Sequence, residues 1–155
     1  QGKRYHHQSL GIGARLDTIQ AAILLAKLPH FNDELVNRQK NAEKFTKALS
    51  PILQTPILKP NRSSTWAQYT LRVKKRDNFQ QDLKNRGIPS SIFYPIPLHL
   101  QECFKYLFYE KGNFPISEKY SGEVISIPMN AFITEQETNY IIQNIEQIVI
   151  KQNEF

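Results

Sequence analysis

The chain has a single cysteine, Cys103, so no disulfide bond can form within it. A lone thiol is typical of a reducing compartment, which predicts a cytoplasmic location. Long apolar runs are also missing, because the longest, residues 21–26, is far shorter than the roughly 20 residues that cross a bilayer. The charged start at Lys3 and Arg4 has no apolar stretch behind it, so we expect neither a signal peptide nor a membrane partner.

Internal repeats and low-complexity tracts are absent as well, and 155 residues are enough for one domain with a real core. The formal net charge of +6 is compatible with a polyanionic partner. However, the basic residues are scattered, and their densest cluster, residues 72–76, lies at a predicted strand-to-helix turn rather than on a basic helix. No nucleic-acid-binding motif accompanies the charge, so we predict no nucleic-acid partner.

The most distinctive stretch lies at the N-terminal end, where a polar and aromatic loop, residues 5–15, runs directly into an apolar helix, residues 16–28. Gly11 and Gly13 can adopt positive φ and allow another backbone or a ligand to come close. Pro29 is predicted to end the helix. The helix carries Ile19, Ile23, Leu24, Leu25 and Leu28, with alanines at 21, 22 and 26. We expect so much apolar surface on a short helix to be buried against something large.

The rest of the chain alternates between helical and strand patterns. Predicted helices cover residues 33–49, 77–86 and about 101–108, a further helical piece starts at 114, and a final helix follows residues 134–137; predicted strands cover 66–73, 90–94 and 124–128. Prolines at 51, 56 and 60 break the chain into an extended connector. This order predicts an α/β fold in which a small sheet packs against helices.

Cap and turn residues mark the predicted helix ends. Asn32 or Asp33 is expected to cap the second helix, and Asp77 the third. Gly87 suits the position just beyond a helix end, where a left-handed conformation is common. Residues 134–137, Thr-Glu-Gln-Glu, form the pattern of a capping box at the start of the last helix.

Taken in order, these segments resemble the C-terminal portion of the DegT-type (DegT/DnrJ/StrS) sugar aminotransferases, which use pyridoxal 5'-phosphate (PLP). In the opening stretch the resemblance is carried by Tyr5, His6, Gly11, Arg15, Asp17, Gln20, Ala21, Ala22 and Leu24. Further on it is carried by the segments 66–70, 75–77, 87–89, 94–99, 114–118 and 126–129. Within the family, the chain is most similar to enzymes that aminate a UDP-linked keto-uronate sugar for surface polysaccharides.

The resemblance implies the small C-terminal domain of a fold-type I PLP aminotransferase, preceded by a long apolar helix. Residues 1–155 would form that single domain, with residues 1–30 as the loop and an interface or core helix, and 31–155 as the small α/β part. In the family, the lysine that forms the Schiff base and the acid that pairs with the pyridinium precede this region. Lys27 is the one lysine in an apolar setting, and an amphipathic helix-end role fits it better. The N-terminal PLP-lysine domain is therefore expected to be absent, and the chain alone inactive.

The implied activity moves an amino group from an amino acid, commonly glutamate, to a ketone on a nucleotide-linked sugar. The resemblance also implies a homodimer in which the N-terminal loop reaches the partner's active site. The alternative is a free-standing or degenerate domain that binds sugar nucleotides, or another partner, without catalysis.

The expected binding residues fall in two groups, and the first lies on the N-terminal loop. Arg15 could clamp a carboxylate or diphosphate with its planar fork, with a surface salt bridge as the alternative. Gly13 stands where the family has an Asn that touches the PLP phosphate, so either its backbone N–H substitutes for that side chain or phosphate binding is weaker here. Tyr5 and His6 are candidates for stacking or hydrogen bonding to a sugar or phosphate. A metal site at His6 and His7 is not expected, because adjacent residues on an extended chain point to opposite sides.

The second group of expected binding residues follows the second predicted strand. Tyr94 could donate to a substrate oxygen, with core packing as the alternative. His99 could support the site or cap the next helix. Phe93 replaces a family His and cannot hydrogen-bond, and residues 130–131 are Asn-Ala where the family has His-Pro.

Overall fold

The computed structural model describes residues 4–153. The helices are α1 (Thr18–Lys27), α2 (Phe31–Leu49), α3 (Arg76–Asn85), α4 (Pro115–Glu123) and α5 (Glu135–Asn153), and the strands are β1 (Tyr69–Arg72) and β2 (Val124–Ile127). Short 3-10 turns cover Leu28–His30, Leu98–Leu100 and Glu102–Leu107. The predicted α/β fold, with a small sheet and covering helices, is confirmed. Within residues 4–153, none of the helices combines the length and apolar character that crossing a bilayer requires.

The two strands run antiparallel and bury one set of side chains. Tyr69 lies opposite Ile127, and Leu71 lies opposite Ile125. All four side chains are buried, because residues two apart on a strand share one face. The core that covers them consists of Ala42, Phe45, Leu49, Trp66, Val73, Phe79, Leu83, Ile88, Ile141, Ile145, Ile148 and Val149. Helices α2, α3 and α5 supply most of these residues, and they hold the strand pair in place.

The prediction of a strand at residues 90–94 is wrong. The segment pairs with β2 through a single bridge, in which the Ser91 and Ser126 backbones exchange hydrogen bonds of 3.0 and 2.7 Å. Proline has no N–H to donate to a ladder. Pro89 lies before the bridge and Pro95 after it, so regular pairing does not extend. The bridge still fixes where the following residues, 93 and 94, lie.

Several predicted helix ends are also corrected. Pro29 does not stop the helical path, because it sits in a 3-10 turn and α2 begins directly afterwards at Phe31. Neither Asn32 nor Asp33 caps α2, since both lie inside it. Asp77 lies inside α3, and its carboxylate instead accepts a 2.6 Å hydrogen bond from the Arg76 Nε–H. A proline is tolerated in a first helical turn, where its missing N–H would have no intrahelical partner.

Other predicted ends are confirmed. Gly87 has a φ of 69° and follows α3, with its N–H bonded to the Lys84 carbonyl at 3.0 Å. The capping box also forms: the Glu137 N–H donates to Thr134 Oγ1 at 3.2 Å, and the Thr134 N–H donates to Glu137 Oε2 at 2.8 Å. The hydrogen bonds that the Thr134 N–H and the Thr134 hydroxyl donate to Glu137 Oε2, both 2.8 Å, hold the pKa of the Glu137 carboxyl below its ordinary value.

The apolar face of α1 is not covered within the described chain. None of its residues is buried, and the exposed fraction is 76% for Ile19 and 70% for Leu25. Lys27, at its end, pairs with Glu34 of α2 at 3.6 Å, which fits the helix-end role. The structure of residues 4–153 therefore does not show the burial that the sequence predicts for this helix.

A partly buried carboxylate, that of Glu118, anchors the loop before α4. Glu118 Oε1 lies 2.9 Å from His99 Nε2, and its carboxylate accepts the N–H of Gly112 at 2.8 Å and that of Phe114 at 3.2 Å. Burial raises the pKa of Glu118, but the hydrogen bonds from Gly112, His99 and Phe114 outweigh burial and leave the pKa below its ordinary value of 4.5. The His99 ring also packs on Phe114, at 4.8 Å between centroids. The cluster therefore ties the turn at Leu98–Leu100 to α4.

We expect Glu118→Gln to lower the melting temperature of the chain at neutral pH, because the charged acceptor for three donors is lost. A depressed pKa stabilises the fold above the unfolded value, near 4.5, and that contribution disappears as the pH falls through the lower folded value. The gap between wild type and variant should therefore narrow on acidification, as measured by thermal unfolding. Glu110→Gln, an exposed carboxylate in the same loop, is the control. An equal gap at neutral and acidic pH would contradict the assignment.

Candidate functional site

A cleft of about 590 Å³ opens between the N-terminal arm, the loop after Ser91, and α4. We define the arm as residues 5–7. The cleft is lined by Tyr5, His7, Phe93, Tyr94, Gln101 and Tyr120, among others. Its lining is mostly apolar and aromatic, and its polar groups are the phenol hydroxyls, the buried amide of Gln101, the His7 ring and two serines, at 117 and 121. Such a composition suits a flat or ring-shaped ligand that carries hydroxyl groups.

Aromatic rings from two distant parts of the sequence form one wall of the cleft. The Tyr5 ring meets the Tyr94 ring at 5.6 Å and the Phe93 ring at 6.5 Å, both edge to face. The Arg4 guanidinium lies 4.9 Å from the centre of the Tyr5 ring. Tyr94 remains 58% exposed, so its hydroxyl is accessible. Edge-to-face contacts are the favoured geometry for aromatic pairs, and they hold the arm against the loop.

The opposite side of the cleft comes from α4 and the start of β2. The Tyr120 ring lies 4.4 Å from the Arg72 guanidinium, which also pairs with Glu123 and donates to Gln54 Oε1 at 2.6 Å. The hydrogen bond to Glu123 raises the pKa of Arg72 above its ordinary value. Arg72 therefore stays charged and packs against the Tyr120 ring, which holds that ring in position. Arg72 itself is not among the residues that line the cleft.

Of the residues predicted from sequence, the structure brings Tyr5 and Tyr94 together in this cleft. His6 is exposed beside them. His99 lies behind the cleft, in the Glu118 cluster, with 7% of its side chain exposed. It is not among the residues that line the cleft.

Gly13 and Arg15 lie elsewhere, on the exposed loop formed by residues 8–17. Neither belongs to the residues that line the cleft. Neither Gly11 nor Gly13 has the positive φ that glycine permits, and no atom lies within 4 Å of a Cβ placed on either one. Both glycines therefore have open space around them. In the part of the chain that the structure describes, no three His, Cys, Asp or Glu side chains are grouped to hold a metal ion.

Sequence reasoning missed Gln101 and Tyr120. Gln101 is buried, and its amide bonds the backbone of the arm. A single glutamine after a Pro-Leu-His-Leu run has no periodic or spacing signal, because its partners on the arm lie more than 90 residues away in sequence. Tyr120 looked like one aromatic residue on a short helix, and its role emerges from the pairing of β1 with β2.

The chain matches one protein family over most of its length. A sequence profile described as the DegT/DnrJ/EryC1/StrS aminotransferase family matches residues 1–146. A protein named "Pleiotropic regulatory protein" from Geobacillus stearothermophilus is 38% identical over 148 residues, which are 93% of this chain and 40% of that protein. The UDP-2-acetamido-2-deoxy-3-oxo-D-glucuronate aminotransferase of Pseudomonas aeruginosa is 40% identical over 134 residues, which are 86% of this chain and 36% of the enzyme.

Solved structures agree with these matches. An aminotransferase of this type from Brucella abortus superposes with a TM-score of 0.79 at 37% identity, covering 96% of this chain and 40% of that one. DesV from S. venezuelae, solved with a ketimine intermediate, superposes with a TM-score of 0.82 at 25% identity. The match covers 96% of this chain and 41% of the DesV chain. The chain thus spans about two fifths of the length of these relatives. It belongs to the DegT/DnrJ/EryC1/StrS aminotransferase family.

Proposed function

We propose that this chain is the C-terminal part of a PLP-dependent aminotransferase that acts on a nucleotide-linked keto-sugar in surface polysaccharide biosynthesis. Glutamate is the proposed amino donor. The observation that carries the proposal is the 40% identity with the P. aeruginosa aminotransferase, whose name specifies a UDP-linked 3-oxo-glucuronate. The aromatic cleft, with its accessible Tyr94 hydroxyl, supports a sugar or nucleotide ligand.

This chain fits a supporting role toward PLP rather than a complete cofactor site. None of the residues that line the cleft is a lysine, so the amine that binds PLP is proposed to lie in a preceding domain. The open space around Gly13 leaves room for a phosphate to approach its N–H. When bound, PLP supplies the electron sink for amino transfer. The residues of this chain bind and orient the sugar beside it.

Each candidate residue has a proposed task. Tyr5 and Tyr94 present ring faces and hydroxyls to the sugar or the base, and His6 adds a donor at the rim. His99 keeps the loop that carries Tyr94 in place through Glu118. Arg15, on the exposed loop 8–17, clamps the carboxylate or diphosphate of a substrate with two parallel hydrogen bonds.

The enzyme is proposed to be a homodimer in which loop 8–17 reaches the partner's active site. The exposure of that loop and the uncovered apolar face of α1 support an arrangement in which both meet another surface. Ile12 is 94% exposed and Leu16 is 68% exposed. Apolar side chains at this density in one segment are typical of a surface that is buried in an assembly.

A second candidate function, a free-standing sugar-nucleotide-binding domain, is favoured by one observation: the cleft forms without help from residues outside the chain. Its native reading frame distinguishes the aminotransferase from the free-standing binding domain. Joining the chain to the sequence that precedes it should give a PLP absorption band and sugar transamination, whereas the 155-residue chain alone should give neither. A well-folded longer protein with neither property would contradict the aminotransferase assignment.

Arg15→Ala in the complete enzyme should raise KM for the nucleotide sugar by about tenfold or more, because charge-assisted bonds to the substrate are lost. Arg15→Lys should recover part of the loss, since it restores charge without the planar fork. Steady-state kinetics against the sugar checks this. Arg62→Ala, an exposed arginine that donates to the neighbouring Asn61 carbonyl, is the matched control. Equal kinetics for Arg15→Ala and Arg62→Ala would remove Arg15 from the site.

Tyr94→Phe should weaken binding of the UDP-sugar to the enzyme by roughly threefold to tenfold, because one hydrogen bond is lost while the ring contacts with Tyr5 remain. Calorimetric titration measures the change. Tyr106→Phe, at a tyrosine that is 59% exposed, should leave affinity unchanged. If both variants bind like the wild type, the Tyr94 hydroxyl does not contact the ligand.

A further inference from the structure

Gln101 uses both ends of its side-chain amide to bind the backbone of the arm. With 4% of its surface exposed, it is one of the few buried polar residues in the described chain. Its Oε1 accepts the His7 N–H at 3.0 Å. Its Nε2 donates to the Tyr5 carbonyl at 3.0 Å and to the Ile96 carbonyl at 3.5 Å. A buried amide is costly unless its donors and acceptor are satisfied, and the arm supplies two of these three partners.

A neighbouring backbone bond extends this attachment. The Cys103 N–H donates to the His7 carbonyl at 3.0 Å. The backbone of the arm is therefore held by three hydrogen bonds to residues 101 and 103, while the Tyr5 ring packs on the ring of Tyr94. The segment that follows, residues 8–17, is exposed throughout. His7 is therefore the last residue of the arm that is hydrogen-bonded to residues 101 and 103, and the exposed loop begins directly after it.

We propose that Gln101 is a positioning residue of the site: both ends of its amide are bonded to the backbone, and from its place in the wall of the cleft it fixes the Tyr5 ring and sets the point from which loop 8–17 leaves the domain. The geometric part of this inference depends only on the hydrogen bonds. The consequence for substrate binding rests on the function proposed above.

A purely structural glutamine would stabilise the core, and the structure separates the two roles. The buried core is formed by residues between Ala42 and Val149 of the helices, strands and nearby segments, and it does not include Gln101 or the arm. Loss of the amide should therefore release the arm while the strand pair stays intact. Gln101→Met removes the hydrogen bonds and keeps a similar volume in the buried position.

Amide hydrogen exchange, measured by NMR on the chain itself, tests the attachment directly. In Gln101→Met the His7 and Cys103 amides should exchange at least about tenfold faster than in the wild type, while the hydrogen-bonded amides of β1 and β2 keep their rates. Gln143→Met, at an exposed glutamine of α5, should change none of these rates. Unchanged exchange at His7 and Cys103 in Gln101→Met would overturn the proposal.

A second variant keeps the test decisive if Gln101→Met does not fold. His7→Pro removes the N–H that Gln101 accepts, and it lies on the arm, outside the core. The Cys103 amide should again exchange faster, because the arm loses one of its attachments. A Cys103 amide as slow as in the wild type would show that the arm is held without Gln101.

Kinetics of the complete enzyme then tests the consequence. Gln101→Met should raise KM for the nucleotide sugar by about tenfold and change kcat by less than about twofold, because a misplaced wall weakens ground-state and transition-state binding alike. An unchanged KM alongside a released arm would overturn the positioning role. If the wild-type enzyme does not use a nucleotide sugar at all, the proposed function fails, and the exchange data still decide whether Gln101 holds the arm.

Discussion

The structure depends on the packing of one face of a two-stranded sheet. Two strands alone are marginally stable in water at best, so β1 and β2 need the cover of α2, α3 and α5. The side chains that meet this cover, Tyr69 and Leu71 on β1 and Ile125 on β2, are fully buried. Tyr69 adds a 2.7 Å hydrogen bond between its hydroxyl and Thr46 of α2, which gives its buried oxygen a partner. Burial raises the pKa of this hydroxyl.

The position of the cleft follows from that sheet. Helix α4 runs into β2 without an intervening loop, so placing β2 also places Tyr120. The buried Arg76 of α3 secures this junction by donating to the Ser121 carbonyl at 3.2 Å and the Val124 carbonyl at 3.1 Å. On the other side of β2, the bridge between Ser126 and Ser91 places the residues that lead to Tyr94. The same short strand therefore positions both sides of the cleft, and Tyr5 of the arm completes the wall that carries Tyr94.

Sequence reasoning recovered what local physics determines. Helical periodicity located α2 and α5, alternation located the buried face of β1, and Gly87 and the capping box at Thr134 marked helix ends, because each depends on residues close in sequence. It failed where pairing with a distant segment determines the local structure. The segment at 90–94 forms one bridge to β2 and no regular strand. Tyr5 and Tyr94 were chosen separately, and nothing in the sequence shows that their rings meet. Gln101 was missed because its partners on the arm are more than 90 residues away.

In the function that we propose, the cleft between the arm and Tyr94 binds the nucleotide sugar. Mapping of backbone NMR shifts during titration of the isotope-labelled chain with a UDP-sugar tests this most directly. We predict saturable changes in the backbone chemical shifts of Tyr5, Tyr94, Gln101 and Tyr120. Shifts confined to the basic surface around Lys74 and Lys75, or no saturable shift in a chain that is folded, would contradict it.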